Sequence, residues 1–144
     1  MKTFSAKPTD VDRKWYVVDA SDATLGRVST FVAKLLLGKG KPSFTKHIDV
    51  GDYVIVINSD KLVVTGNKLE DKMYYKHSGF PGGLTSTKLK DKMAVDSTTV
   101  IKKSIRGMLP VNKLRDARLE RLKIYKDDNH NHEAQKPIII KVVK

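Results

Sequence analysis

The chain has 144 residues, 28 of them lysine or arginine against 16 aspartate or glutamate, giving a formal net charge of +12. Its 40% hydrophobic content is that of a folded protein and excludes wholesale disorder; the absence of cysteine excludes disulfide scaffolds, thiolate zinc sites and thiol catalysis. A folded body about 15 Å in radius with such a surplus repels itself unless a polyanion neutralises it, so nucleic acid is the expected class of partner.

From Met1 to Trp15 the chain mixes Lys2, Lys7, Arg13 and Lys14 with Asp10 and Asp12 and has no apolar run. It does not read as a secretory signal, and no later stretch is long enough to span a bilayer. One soluble, intracellular domain covering 1–144, with no membrane partner, is the expectation. Lys14-Trp15-Tyr16-Val17-Val18-Asp19 reads as a strand. Ser21 or Asp22 then caps a helix in which Leu25, Val28, Val32, Leu35 and Leu36 share one face and Arg27, Thr30 and Lys34 the other, with Gly38 as the stop.

Tyr53-Val54-Ile55-Val56-Ile57 is apolar without alternation, the pattern of a strand covered on both faces. Asn58-Ser59-Asp60 makes a turn or short capped segment, and Leu62-Val63-Val64-Thr65 is expected as a further strand. Lys72 to His77 is extended, and Gly79-Phe80-Pro81-Gly82-Gly83 interrupts regular structure. A second helix begins at Asp96 or Ser97, carries Ile101, Ile105, Met108 and Leu109 on one face and Lys102, Lys103 and Arg106 on the other, and ends before Pro110. A third helical stretch, Asn112 to Leu122, carries Arg115, Arg118 and Arg121 as a stripe, and Leu122 to Tyr125 is a short strand. Lys126 to Lys136 is polar and loop-like, and an apolar and basic tail, 138–144, follows Pro137. Strand, helix and buried strands in succession predict a βαβ core of α/β class.

Three enzyme-like patterns are weak. Gly38-Lys39-Gly40-Lys41-Pro42-Ser43 has the composition of a phosphate loop, but it follows a helix instead of joining a strand to one, so it reads as an exposed basic loop. His130 and His132 with Glu133 form a minimal metal set in a loop, and a solvated loop is the better reading. His47 and Asp49 could pair for acid–base work, but no nucleophile or oxyanion-forming element stands beside them.

The basic segments are more coherent. Lys39, Lys41, Lys46 and His47 bracket Pro42 and Phe44; Lys68, Lys72, Lys76 and His77 approach the glycine-rich turn, where Gly79, Gly82 and Gly83 admit a phosphate backbone close to main-chain amides. Arg115, Arg118 and Arg121 supply forked donors for phosphate oxygens. Each run alone is an ordinary solvated face, but three in one small protein favour RNA binding. Tyr74, Tyr75 and Phe80 are candidates for stacking on unpaired bases, with core packing the alternative for at least one tyrosine.

Specific segments resemble a known family. Lys14 to Ala20, Leu25-Gly26-Arg27, Gly51 to Val54, Val64 to Lys68, Tyr75 to Leu84, Arg106 to Pro110 and Asn112-Lys113-Leu114 are similar to the L-thirteen family of large-subunit ribosomal proteins, bacterial type. The resemblance runs from about Lys7 to Pro137. It implies a non-catalytic building block of the cytoplasmic ribosome, bound to 23S-type rRNA and to neighbouring large-subunit proteins and joining early in assembly. No cofactor, metal or small-molecule substrate is implied. The family fold is a three-layer α/β/α sandwich on a small parallel sheet. Carried over by position, the segments touching rRNA are Lys39 to His47, Lys76 to Gly83, and Arg106 to Arg118 with Lys113 and Arg115 inside it.

The sequence departs from the family at Arg115-Asp116, where relatives have glycine, at Asn131, where they have proline, and in the tail, which either pairs with a sheet edge or meets a neighbouring protein. Two rival readings are a nucleotide- or nucleic-acid-processing enzyme using the α/β core and the histidine loop, and a regulatory binder of messenger RNA.

Overall fold

In chain order the elements of the computed structural model are β1 (Trp15–Asp19), α1 (Leu25–Leu37), β2 (Tyr53–Ile57), α2 (Lys68–Asp71), β3 (Met73–His77), β4 (Leu84–Lys88), α3 (Leu89–Val95), α4 (Ser97–Met108), α5 (Arg115–Glu120), β5 (Leu122–Ile124) and β6 (Ile138–Ile140), with 3-10 turns at Pro8–Asp10, Ser59–Lys61 and Glu133–Gln135. The structure describes residues 3–142; Met1, Lys2, Val143 and Lys144, to which the N-terminal and tail readings extend, lie outside the described residues.

Four strands form a wholly parallel sheet in the order β5-β2-β1-β6, while β3 and β4 form a separate antiparallel hairpin. The expected α/β class is what the structure shows. The connections β1–α1–β2 and β2–α4–α5–β5 step across the sheet in one direction, and β5 to β6 steps back. Right-handed crossovers therefore put α1, α4 and α5 on one face and the return segment on the other.

Packing agrees on both faces. Val18, Val54, Val56 and Leu122 join Val28, Val32, Leu36, Ile101 and Ile105 in one core. Val17 and Ile55, which alternate to the opposite face, are also buried. That face is covered by the crossover 125–137, where the His132 ring lies 5.0 Å from Trp15 and its Nε2 meets the Tyr125 hydroxyl at 2.9 Å. On that face the crossover contributes the 3-10 turn Glu133–Gln135.

Several expectations are corrected. Residues 62–65 form no strand: the sheet is already complete beside β1 and β2, so Leu62 packs into the core and the Val63 carbonyl accepts from Leu25 N (3.0 Å) at the start of α1. Thr24, and not Ser21 or Asp22, is the N-cap of α1, because Ser21 turns back to donate to Asp19 Oδ1 through both its amide and its hydroxyl. At the other end Gly38 takes the left-handed conformation expected, φ 72°. Asp96 caps α4 by accepting from Thr98 N at 3.1 Å. Met108 is 41% exposed, whereas Ile101 and Ile105 on the same face are buried. The third helical stretch is confined to α5, and β4, α2 and α3 have no counterpart in the sequence reading. The tail takes the first of its two alternatives, pairing along β1 with Tyr16 opposite Ile138.

Candidate nucleic-acid interface

Past Gly38 the chain turns repeatedly, with Lys41 N bonded to Gly38 O and Phe44 N to Lys41 O, and returns to the start of β2. Lys41 is the pin of this loop. Its Nζ donates to Asp52 Oδ1 (2.7 Å), Val50 O (2.9 Å) and Asp12 O (2.6 Å). All three ammonium donors are engaged within the protein, so Lys41 holds the loop and is not the free cation the exposed-loop reading expects. Lys39, Lys46 and His47 are exposed. His47 lies 3.5 Å from Ser5 Oγ and does not pair with Asp49.

Asp49 is occupied by arginines. Arg121 grips it with Nη2 on Oδ1 (2.7 Å) and Nη1 on Oδ2, while Arg118 Nε stands 3.5 Å from Oδ1. Arg121 also donates to Leu36 O at 3.1 Å and Asp52 O at 3.4 Å. Burial opposes ionisation of Asp49, but the hydrogen bonds and charge of Arg121, the Gly51 amide and the charge of Arg118 outweigh it and hold the carboxyl below its ordinary range. Gly51 makes the closure possible: a Cβ there would stand 1.7 Å from Leu36 O and 2.8 Å from Arg121 Nη2.

The expected surface stripe of arginines is corrected by this arrangement. Arg118 and Arg121 are 1% and 5% exposed, drawn inward by a carboxylate distant in the chain, and Arg115 is half-buried. Arg106 and Lys113 are exposed.

Along the seam between α1 and α4 three shallow grooves adjoin. The first, about 550 Å³, is lined by Gly26, Lys68, Lys72 and Met108. The second, also about 550 Å³, is lined by Thr30, Lys34, Lys39 and Met108, and so shares Met108 with the first. The third, about 310 Å³, shares Leu37 and Lys39 with the second and adds Phe44, Lys46, Pro110, Asn112 and Arg118. Lys34, Lys39, Lys46, Lys68 and Lys72 therefore line connected ground, with Asp71 the single carboxylate among the lining residues. Lys34 is absent from the sequence-derived site, although its place on the polar face of α1 was the available signal.

The hairpin carries the remaining candidates. Lys76 and His77 are exposed on β3, and the tip is shaped by its own bonds: Gly79 N donates to His77 Nδ1 (2.9 Å) and Ser78 N to Gly83 O (3.1 Å). Gly79 and Gly82 have φ of 88° and 71°, and a Cβ on Gly83 would meet Ser78 Oγ at 2.0 Å, so the glycines serve the turn itself. Tyr75 and Phe80 are 62% and 74% exposed, as base stacking requires. Tyr74 is instead buried beneath the ammonium groups of Lys72, Lys92 and Lys103, at 5.6, 5.3 and 4.8 Å from its ring centroid.

The enzyme-like patterns are used structurally. His132 packs the crossover against Trp15 and Tyr125, and among the described residues no group of three or more His, Asp or Glu side chains converges. At the ends of β1 and β2, Asp19 is satisfied by Ser21 and by Asn58 Nδ2 (3.0 Å).

Comparison with known proteins agrees with this geometry. A family model described as "Ribosomal protein L13" matches residues 13–131. The chain is 54% identical over 137 residues to "Large ribosomal subunit protein uL13" of Alcanivorax borkumensis, covering 95% of this chain and 96% of that one. It is 49% identical over 144 residues to the protein of the same name from Thermobifida fusca, covering 100% of this chain and 97% of that one. A scaffold that spends Lys41 and two arginines on shaping one loop, and leaves exposed lysines along a connected seam, belongs to a chain matched in this way from end to end: it is a member of the ribosomal protein L13 family.

Proposed function

We propose that this protein binds the rRNA of the large ribosomal subunit through the α1–α4 seam and the β3–β4 hairpin, and that it does so early in subunit assembly. Membership of the family makes it a structural, non-enzymatic ribosomal protein. The observation that carries the RNA reading is the seam. Five lysines line adjoining grooves against one carboxylate, on a rigid body whose formal net charge is +12. Such a surface favours phosphates by shape and charge without reading bases.

Lys39, Lys46, Lys68 and Lys72 would contact phosphates along the grooves, with Lys34 added to them. Lys76, His77, Tyr75 and Phe80 would engage RNA at the hairpin, and the exposed Arg106 and Lys113 would add contacts of their own. The glycines Gly79, Gly82 and Gly83 set the tip that brings RNA close to the main chain. Neighbouring large-subunit proteins are proposed to meet other faces of the molecule. Nothing in the interface singles out a messenger RNA as its ligand.

The test is sedimentation and direct binding. The tagged protein is expected to co-sediment with large subunits on sucrose gradients and to bind 23S-type rRNA fragments with an affinity that falls log-linearly with salt. A free monomer on the gradient, with RNA binding insensitive to salt, contradicts the reading.

A further inference from the structure

The groove formed by Leu37, Lys39, Phe44, Lys46, Pro110, Asn112 and Arg118 differs from the other two in its back wall. Arg118 is 1% exposed, and its buried Nε and Nη1 have no hydrogen-bond partner. Its contact with Asp49 Oδ1, at 3.5 Å, is a charge contact and not a hydrogen bond, while Arg121 donates to both oxygens of that carboxylate. Two guanidinium groups thus share one carboxylate. The Nε of neighbouring Arg115 is likewise buried without a partner.

A buried guanidinium with empty donors is destabilising unless an acceptor reaches it. Arg118 is the buried charged residue among those that line this groove. At its rim stand the exposed ammonium groups of Lys39 and Lys46, and Asn112 adds a side-chain amide. No carboxylate lines it. A side-chain shift of Arg118 toward the groove would set its forked donors behind an entering acceptor and the two lysines in front, the donor set that suits a tetrahedral oxyanion.

We propose that this groove is a dedicated phosphate site, which takes one phosphate group with Arg118 as the inner ligand and Lys39 and Lys46 as the outer ones. The inference deepens the rRNA reading and rests on it for the source of the phosphate, an internal phosphodiester of the RNA backbone. It is distinct from diffuse attraction by the seam, since it assigns saturable occupancy to one place.

Thermal unfolding of the purified full-length protein tests it, with inorganic phosphate exchanged for chloride at constant ionic strength. The midpoint is expected to rise saturably, by roughly 5 °C at ten times the dissociation constant. Lys39→Ala/Lys46→Ala, which leaves the buried arginines untouched, is expected to abolish most of the rise. Lys123→Ala/Lys126→Ala, which removes the same charge from exposed positions elsewhere, is expected to keep it. A tetranucleotide with only internal phosphodiesters should reproduce the rise in the wild type; a response to phosphate but none to the tetranucleotide overturns the assignment to RNA backbone and leaves a free-phosphate site. Equal responses of the wild type and the Lys39→Ala/Lys46→Ala variant overturn the site itself. Filter binding of rRNA fragments runs alongside. Wild-type rRNA binding without any phosphate response removes the pocket alone, whereas a phosphate response without rRNA binding removes the rRNA reading.

Discussion

Asp49 holds two arginines at once, and that contact sets how the loop 38–52 lies on α5. Removing the carboxylate leaves two buried guanidinium groups facing each other, so Asp49→Asn is expected to destabilise the fold by about 3 kcal/mol, read from urea unfolding at pH 7. The pH dependence has a definite sign. The folded carboxyl titrates below its ordinary value of 3.8, so its contribution is complete above that value and is lost as pH falls through the depressed one. The wild type should therefore lose its advantage over Asp49→Asn only as pH falls below the ordinary carboxyl value of 3.8, and an advantage that is already lost above that value contradicts the ion pair. These residues also mark a limit of reading from sequence. Arg115, Arg118 and Arg121 repeat every third position, which suggests a solvated stripe, but the partner that draws them in lies some seventy residues away. Lys41 is the same case: nothing local distinguishes it from Lys39, and only the return of Asp52 to its side does.

At the level of single elements, legibility follows local self-sufficiency. Helices α1 and α4 carry their own apolar face and stop signals, and β2 its own unbroken apolar run, so all three were readable. Strand β4 is Leu84-Thr85-Ser86-Thr87-Lys88, polar and largely exposed, and is a strand because β3 lies beside it. Residues 62–65 show the converse, a β-type composition that makes a single bridge, Val63 to Thr24, because both flanks of β1 and of β2 are already taken. The cap of α4 is testable by itself: Asp96→Ala removes the acceptor for Thr98 N and should cost about 1 kcal/mol in chemical unfolding, with RNA binding unchanged. The hairpin should behave in the opposite way. Tyr75 and Phe80 are exposed, so Tyr75→Ala/Phe80→Ala should leave stability within about 0.5 kcal/mol while weakening binding to single-stranded rRNA segments about tenfold or more. Unchanged RNA affinity in that variant would mean that the aromatics do not stack on bases.

For the molecule as a whole, charge and architecture separate cleanly. The fold class was legible because βαβ order follows from apolar patterning, and the proposed partner class rests on the net charge of +12. The joining of Lys68 and Lys72 to Lys34, Lys39 and Lys46 was not, since it depends on α4 lying against α1 and bringing Met108 between the grooves. Replacing Lys39, Lys46, Lys68 and Lys72 by alanine should lower the slope of log affinity against log salt by about 3. A slope that does not move would place the RNA on another surface.

The register of β6 on β1 has a consequence for how the polypeptide is made. On one flank Tyr16 meets Val54, but on the other it meets Ile138, so a nascent chain carries β1 with that second flank bare until β6 has emerged. Pairing over such separation raises contact order and slows folding. An unpaired flank is meanwhile a template for foreign strands. Vectorial synthesis thus leaves a strongly cationic, half-closed sheet vulnerable to aggregation, and an early polyanionic escort would shorten that interval.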